Sequence, residues 1–450
     1  MRIIITGVLI MLLPISIIVA HNHYRHNNIN LSVGGSPIPK IQFWKTKNGV
    51  ETYFVSKPYS NIIDIQITFD AGSARDNGKL GLAYLVSKTI KDLVNKKDFD
   101  LEVVIDKDRT IFSFKLINTA KTLDKKIKQQ VDVLSGYISR LFLWQADLHT
   151  IVDHLKNNIL SELKLKSQDP LHVLNTEIYK LLYNKHPYAH YELGNGDLDN
   201  ITVEDLINFH KSYYVTDNAI ITIVGNANRD QAINLSNLIT ANFVNGSKAV
   251  PLPDLQLPDN NLVQIGAFRR IGEDNQQKNV VMGQLVANAY DNEYFNLILG
   301  NMILSNNIYS RLSTLTQQLG SGQEDVIYDV SSKFVMLSKP GPFLVNFYTT
   351  KQFTEKAIET INIILSNFIN YGPTKEELEL CKKHLSNSFP GEFITNQQVL
   401  DWISYLSFYK LPMDFFDHYI DNVYSATQGS VLNAWKSRIN LQHMQTVVMG

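Results

Sequence analysis

Along this chain the spacing of hydrophobic positions switches between a period of two and a period near 3.6, and each switch marks an element. In residues 62–69, Ile63, Ile65, Ile67 and Phe69 alternate with Asp64, Gln66 and Thr68, which predicts a half-buried strand. Upstream, Phe43 and Trp44 precede Asn48-Gly49, a dipeptide that favours a tight hairpin turn, and Val50 to Val55 follow it. From Leu80 the spacing becomes helical, with Leu82, Leu85, Val86, Ile90, Leu93 and Val94 at three- and four-residue steps. A strand pair is predicted over 101–106 and 110–117. Long helices follow over 121–142 and 145–166, then a helix over 204–213 and a strand over 219–225. Strands, then helices, then a returning strand describe an α+β unit with helices layered on a mostly antiparallel sheet.

The stretch around 246–259 holds Gly246, Pro251, Pro253 and Pro258 with few periodic apolar positions, and reads as a linker. It divides the chain into an N-terminal domain, 38–245, and a C-terminal domain, 260–450. The second half resembles the first. Shifted by 225 residues, Asn208, Lys211, Ser212 and Gly225 fall on Asn433, Lys436, Ser437 and Gly450, and Ile220 to Gly225 overlays Gln445 to Gly450. At a slightly different shift, His154-Leu155 with Asn157 falls on His384-Leu385 with Asn387. Identities in the same order along two halves of similar length point to an internal duplication.

The first twenty residues are of another kind. Met1-Arg2 precedes an apolar run from Ile3 to Ala20, a short positive region followed by the core of an export signal. The alternative is an uncleaved membrane anchor. Export, periplasmic in a bacterium, is therefore expected, with membrane contact only if the leader is retained. Residues 21–37, with His21, His23 and His26, read as a solvated spacer. Composition narrows the classes further. Of 450 residues 44% are hydrophobic, enough for sizeable cores, and 42 Lys plus Arg against 43 Asp plus Glu leave no overall basic character for nucleic acid. A single cysteine, Cys381, excludes an internal disulfide framework. It lies in a helical run, where an inert buried thiol is expected.

Chemistry concentrates around Gly81-Leu82-Ala83-Tyr84-Leu85-Val86-Ser87-Lys88, which follows the loop Asp70-Ala71-Gly72-Ser73-Ala74-Arg75-Asp76. Further on come Glu162, His186-Pro187-Tyr188, and the run from Gly194 to Gly225 with Tyr213-Tyr214 and Asn218-Ala219. The second half holds Ser310-Arg311-Leu312, Gly341-Pro342, Gly372-Pro373-Thr374 with Glu376-Glu377-Leu378, and Tyr409-Lys410-Leu411-Pro412. This ordered set resembles the inverted zinc-peptidase family that includes pitrilysin, insulin-degrading enzyme and the mitochondrial processing peptidase. The resemblance implies two homologous α+β domains facing each other as a clamshell around a peptide chamber. It also implies a zinc site built from H-x-x-E-H on the helix after Gly81, with a downstream glutamate at Glu162, and a substrate grip for which Arg311 and Tyr328 are the candidates. The other reading of Arg311 and Tyr328 is as ordinary helix-end and strand residues.

The departure from the family pattern lies in the motif itself. Its positions are Tyr84, Ser87 and Lys88. A phenol with a pKa of about 10 is a poor zinc ligand near neutral pH, and an ammonium has no lone pair. Ser87 is no general base by itself, so Glu162 is the residual ligand-like residue. No other constellation replaces it: His186 and His190 are separated by Pro187, His149 and His154 are five apart, and Gly320-Ser321-Gly322 lacks a phosphate-loop ending. The expectation is a scaffold without its own zinc chemistry or cofactor. It would be the non-catalytic subunit pairing with a homologue that carries intact H-x-x-E-H, sharing peptide substrates in one chamber. An active peptidase with an atypical metal site and a stand-alone peptide binder or scaffold are the other two readings. An ion pair between Lys88 and Glu162, where zinc would sit, is also expected.

Overall fold

The computed structural model describes residues 39–95, 100–118, 125–140, 145–190, 198–255, 268–271, 276–305, 310–314 and 327–450. The leader, the histidine-bearing spacer and the Gly320-Ser321-Gly322 run lie outside them. In the first half the strands are β1 (Gln42–Lys45), β2 (Glu51–Ser56), β3 (Ile62–Phe69), β4 (Glu102–Ile105), β5 (Thr110–Ile117) and β6 (Ala219–Gly225). The helices are α1 (Leu82–Asn95), α2 (Lys125–Ser139), α3 (Gln145–Lys166), α4 (Pro170–Tyr183), α5 (Val203–Tyr213) and α6 (Arg229–Thr240). The second half contributes β7 (Phe268–Ile271), β8 (Gln277–Ala287), β9 (Tyr328–Phe334), β10 (Gly341–Thr350) and β11 (Gln445–Met449). Its helices are α7 (Tyr294–Ser305), α8 (Thr354–Tyr371), α9 (Lys375–Ser388), α10 (Asn396–Phe408), α11 (Tyr419–Ser425) and α12 (Gln428–Arg438).

The two sheets share one strand order over five strands, to which the first adds β1 at its edge. The first runs β1-β2-β6-β3-β5-β4 and the second β7-β11-β8-β10-β9. In each, one parallel pair (β2 with β6, β7 with β11) flanks otherwise antiparallel neighbours. The segments that overlay in sequence occupy equivalent places: β6 and β11 as strands, α3 and α9, α5 and α12 as helices. One local constraint is duplicated with them. Gly225 and Gly450 have φ of 142° and 120°, and a Cβ on either would collide with a carbonyl oxygen of the adjacent strand, Ile62 of β3 or Gln277 of β8. Helix starts are encoded locally. Thr202 with Asp205, Thr374 with Glu377 and Thr395 with Gln398 form capping boxes that satisfy the first free N–H groups of α5, α9 and α10.

Each sheet carries its own helices on one face and a helix from the other half on the second face. Helix α4 of the first half packs on β8 and β11, with Leu174 and Ile178 in one cluster with Val281, Leu344 and Val447. Helix α10 of the second half packs on β3 and β6. This revises the reading of residues 62–69 as half-buried. From Ile63 onward β3 is buried on both faces, and its polar positions meet α10 rather than water. Asn396 donates to Asp64 at 2.8 Å, Gln66 donates to Asp401 at 2.9 Å, and the Thr68 and Ser404 hydroxyls are 3.0 Å apart. Period-two alternation reports which face is polar, and a polar face is buried when a partner helix supplies matching hydrogen bonds. Helices α4 and α10 thus join the halves, each packing on the sheet of the other half.

The turn between β4 and β5 pins the halves together. The Asp108 carboxylate is fully buried and accepts from the Tyr188 hydroxyl of its own half. From the other half it accepts from the Tyr409 hydroxyl at 2.9 Å and the Ser338 N–H at 2.9 Å. Beside it, the buried Arg109 guanidinium pairs with Asp106 at 2.8 Å and stacks on the rings of Tyr405, Phe408 and Tyr409. Gly72 lies so close to this turn that a Cβ would stand 2.5 Å from the Arg109 nitrogen.

Candidate functional site

Helix α1 is placed by its own sequence and by the loop before it. Leu82, Leu85, Val86 and Ile90 form its buried stripe. Its N-terminus is capped by Asp76, whose carboxylate accepts from Gly81 N at 2.7 Å and Ala83 N at 2.8 Å. Burial pushes the Asp76 carboxyl up to about 7, against the pull of those two N–H groups. Arg75 forks onto Asp70 at 2.9 and 2.8 Å and donates to the Val250 carbonyl, which ties the loop to the linker. The remaining side of α1 carries Tyr84, Lys88 and Lys91 and faces α3.

Three of the four motif positions converge there. The Tyr84 hydroxyl donates to Glu162 Oε2 at 3.2 Å, and Lys166 pairs with Glu162 Oε1 at 3.3 Å. Lys88 Nζ stands 4.8 Å from the centre of the Tyr84 ring. Ser87 is buried and donates to the carbonyl of Tyr84 at 2.8 Å, so its hydroxyl is spent on its own helix. The expected Lys88–Glu162 ion pair is not formed. Glu162 takes Lys166 one helical turn away, a pairing that i,i+4 spacing makes available without ordering a second helix, and Lys88 lies on the aromatic face instead. Lys166 and Lys91 were not singled out from the sequence; the Glu162-to-Lys166 spacing was the available signal.

These residues do not suit zinc. A zinc site takes imidazole, thiolate or carboxylate donors in a tetrahedral set, and here a phenol and an ammonium stand beside one carboxylate already engaged by two partners. Among the described residues no group of three or more His, Cys, Asp or Glu side chains is arranged to hold a metal ion. His186 serves packing: its Nδ1 accepts from Tyr188 N at 3.1 Å, capping the turn Pro187–Ala189, and its Nε2 lies 3.1 Å from the Pro253 carbonyl. Burial pushes the Cys381 thiol up to about 12.

The candidates for gripping substrate lie elsewhere. Arg311 forks onto Glu377 at 2.8 Å through two nitrogens, donates to the Gly372 carbonyl at 2.9 Å and stacks on Phe368. That geometry staples the start of α9 to the end of α8, and it occupies the guanidinium within the domain. Tyr328 opens β9 opposite Tyr348 of β10.

Comparison with known proteins shows what this two-half α+β chain is similar to. Residues 200–385 match the family model of the peptidase M16 inactive domain. The zinc protease PqqE of Helicobacter pylori (strain ATCC 700392 / 26695) is 24% identical over 237 residues, 50% of this chain and 52% of that protein. The match thus spans about half the length of this curated relative. The crystal structure of a peptidase M16 inactive domain from Pseudomonas fluorescens superposes with a TM-score of 0.80 at 22% identity, over 91% of this chain and 98% of that one. A protease from Helicobacter pylori gives 0.77 at 17% identity, over 91% and 99%. A chain of complex III2 from Candida albicans gives 0.73 at 14% identity, over 91% and 96%. Residues 200–385 are thus similar to the M16 inactive domain, and the chain as a whole shares the fold of M16 peptidase-like proteins.

Proposed function

We propose that this chain is the non-catalytic subunit of an exported peptidase, pairing with a homologue that carries intact H-x-x-E-H and completing its peptide chamber. The observation that carries the reading is the convergence of Tyr84 and Glu162, with Lys88 alongside, on a preserved scaffold. The positions that would build a metal site still meet, while their chemistry has been exchanged for groups that hold no zinc. The packing of the two halves supports the same reading. Helices α4 and α10 tie the two halves into one unit, which a homologous unit would face across a chamber. The apolar leader supports export.

The test is co-expression with an H-x-x-E-H homologue from the same genome, followed by size-exclusion chromatography and a peptide-cleavage assay. A complex at the summed mass, more active than the catalytic chain alone, is expected. An obligate interface of this kind buries more than about 2,000 Å². If no such homologue binds, a stand-alone peptide binder becomes the better reading. Chelator-sensitive cleavage by this chain alone would make it an active metallopeptidase.

A further inference from the structure

Three lysines gather around Tyr84 and Glu162. Lys88 and Lys91 lie three residues apart on the partly exposed side of α1, and Lys166 lies on α3 opposite. Glu162 is the carboxylate among them, with Tyr84 on one oxygen and Lys166 on the other. The contacts run in one chain from Lys88 to Tyr84 to Glu162 to Lys166. Lys88, Lys91 and Lys166 thus bring three ammonium groups to the neighbourhood of Glu162. Among the described residues Lys88 has no ion-pair partner, and Asp92, the next carboxylate along α1, does not pair with it. Burial, together with repulsion from Lys91 and Lys166, holds the Lys88 ammonium below its usual pKa, and Glu162 offsets this only in part. A further negative charge at this place would relieve that repulsion.

We propose that the lysines on the partly exposed side of α1, beside α3, bind a peptide carboxylate, so that the peptides this chain holds are acidic where they meet α1. The proposal rests on the reading that the scaffold holds peptides. Its chemistry is direct. An ammonium has three donors and no acceptor; Lys88 spends one side on the Tyr84 ring and keeps N–H groups for an anion. The carboxylate has two sources, an Asp or Glu side chain or a free C-terminus.

Four unstructured fluorescent peptides test this on the full chain: one with a central Glu and one with Gln in its place, each with a free or an amidated C-terminus. Binding is read by fluorescence anisotropy at low and moderate salt. The Glu peptides should bind about tenfold more tightly than the Gln peptides, the worth of one hydrogen bond to a charged group. The advantage should shrink as salt rises. Lys88→Gln with Lys91→Gln should abolish the advantage while leaving the Gln peptide's affinity and the melting temperature unchanged, and Lys88→Arg should retain it. An advantage that follows the free C-terminus and not the Glu supports the site with a terminal carboxylate as its ligand. Equal binding of all four peptides overturns the carboxylate site and leaves peptide holding in place. Binding of none overturns the peptide-holding reading and the site with it.

Discussion

Replacing Asp108 by alanine should be among the most destabilising single changes in this chain. The carboxylate accepts from Tyr188, Tyr409 and Ser338 N–H in a place with no access to water, and two of those three donors belong to the other half. Removing the acceptor strands all three donors, and each stranded buried group costs about 1–3 kcal/mol. Some of this is recovered as the tyrosine hydroxyls turn toward other acceptors. The expected loss is about 3–5 kcal/mol, the range for breaking a buried charged network. Asp108→Asn keeps one acceptor oxygen and fits the same space. Burial and the nearby Asp106 charge raise the pKa of the carboxyl, so a neutral isostere should cost less, about 1–2 kcal/mol. Urea unfolding of the full chain measures both, with the midpoint shifting at unchanged slope. Tyr409→Phe should lose part of its effect in the Asp108→Ala background, with a coupling of about 1 kcal/mol or more. A loss below about 1 kcal/mol for Asp108→Ala, or strict additivity with Tyr409→Phe, would refute the claim that this carboxylate pins the halves.

Three further outcomes follow from the geometry. His210 is buried against the Ile138 carbonyl at 2.7 Å, and burial pulls its pKa down from 6.5 to about 4. Its contribution is therefore full above pH 6.5 and is lost as pH falls toward 4, by on the order of 3 kcal/mol; a His210→Gln variant should flatten that part of a stability-versus-pH curve. Gly225→Ala, at φ 142° and against the Ile62 carbonyl, should cost at least ~2 kcal/mol in thermal or urea unfolding, and an unchanged midpoint would contradict the close approach of β6 to β3. Tyr84→His combined with Lys88→His should create a His-His-Glu set with Glu162 and bring stoichiometric zinc by metal analysis, where the unaltered chain should take none. A folded double variant without zinc would show that these positions do not converge as described.

What the sequence by itself determined is the local structure and the chemical character of the site. Residues 62–69, 145–166 and 219–225 are elements with those same bounds in the structure, because periodicity and capping are set by near neighbours in the chain. The donor atoms that Tyr84, Ser87 and Lys88 offer were equally legible, since they do not depend on a side chain's surroundings. The repeat, too, was visible in the overlay of Gly225 on Gly450, which a shared backbone constraint at the end of a strand explains. Only the tertiary structure decided which charges pair. Lys88 and Lys166 compete for one carboxylate from different helices, and the choice depends on distances of a few ångströms that spacing along the chain does not define. It also decided the role of Asp108, whose partners at Tyr188, Ser338 and Tyr409 are brought together by the exchange of α4 and α10 between the halves. That exchange buries a polar face of β3 that alternation alone marks as outward, because hydrogen bonds from a distant helix replace those to water.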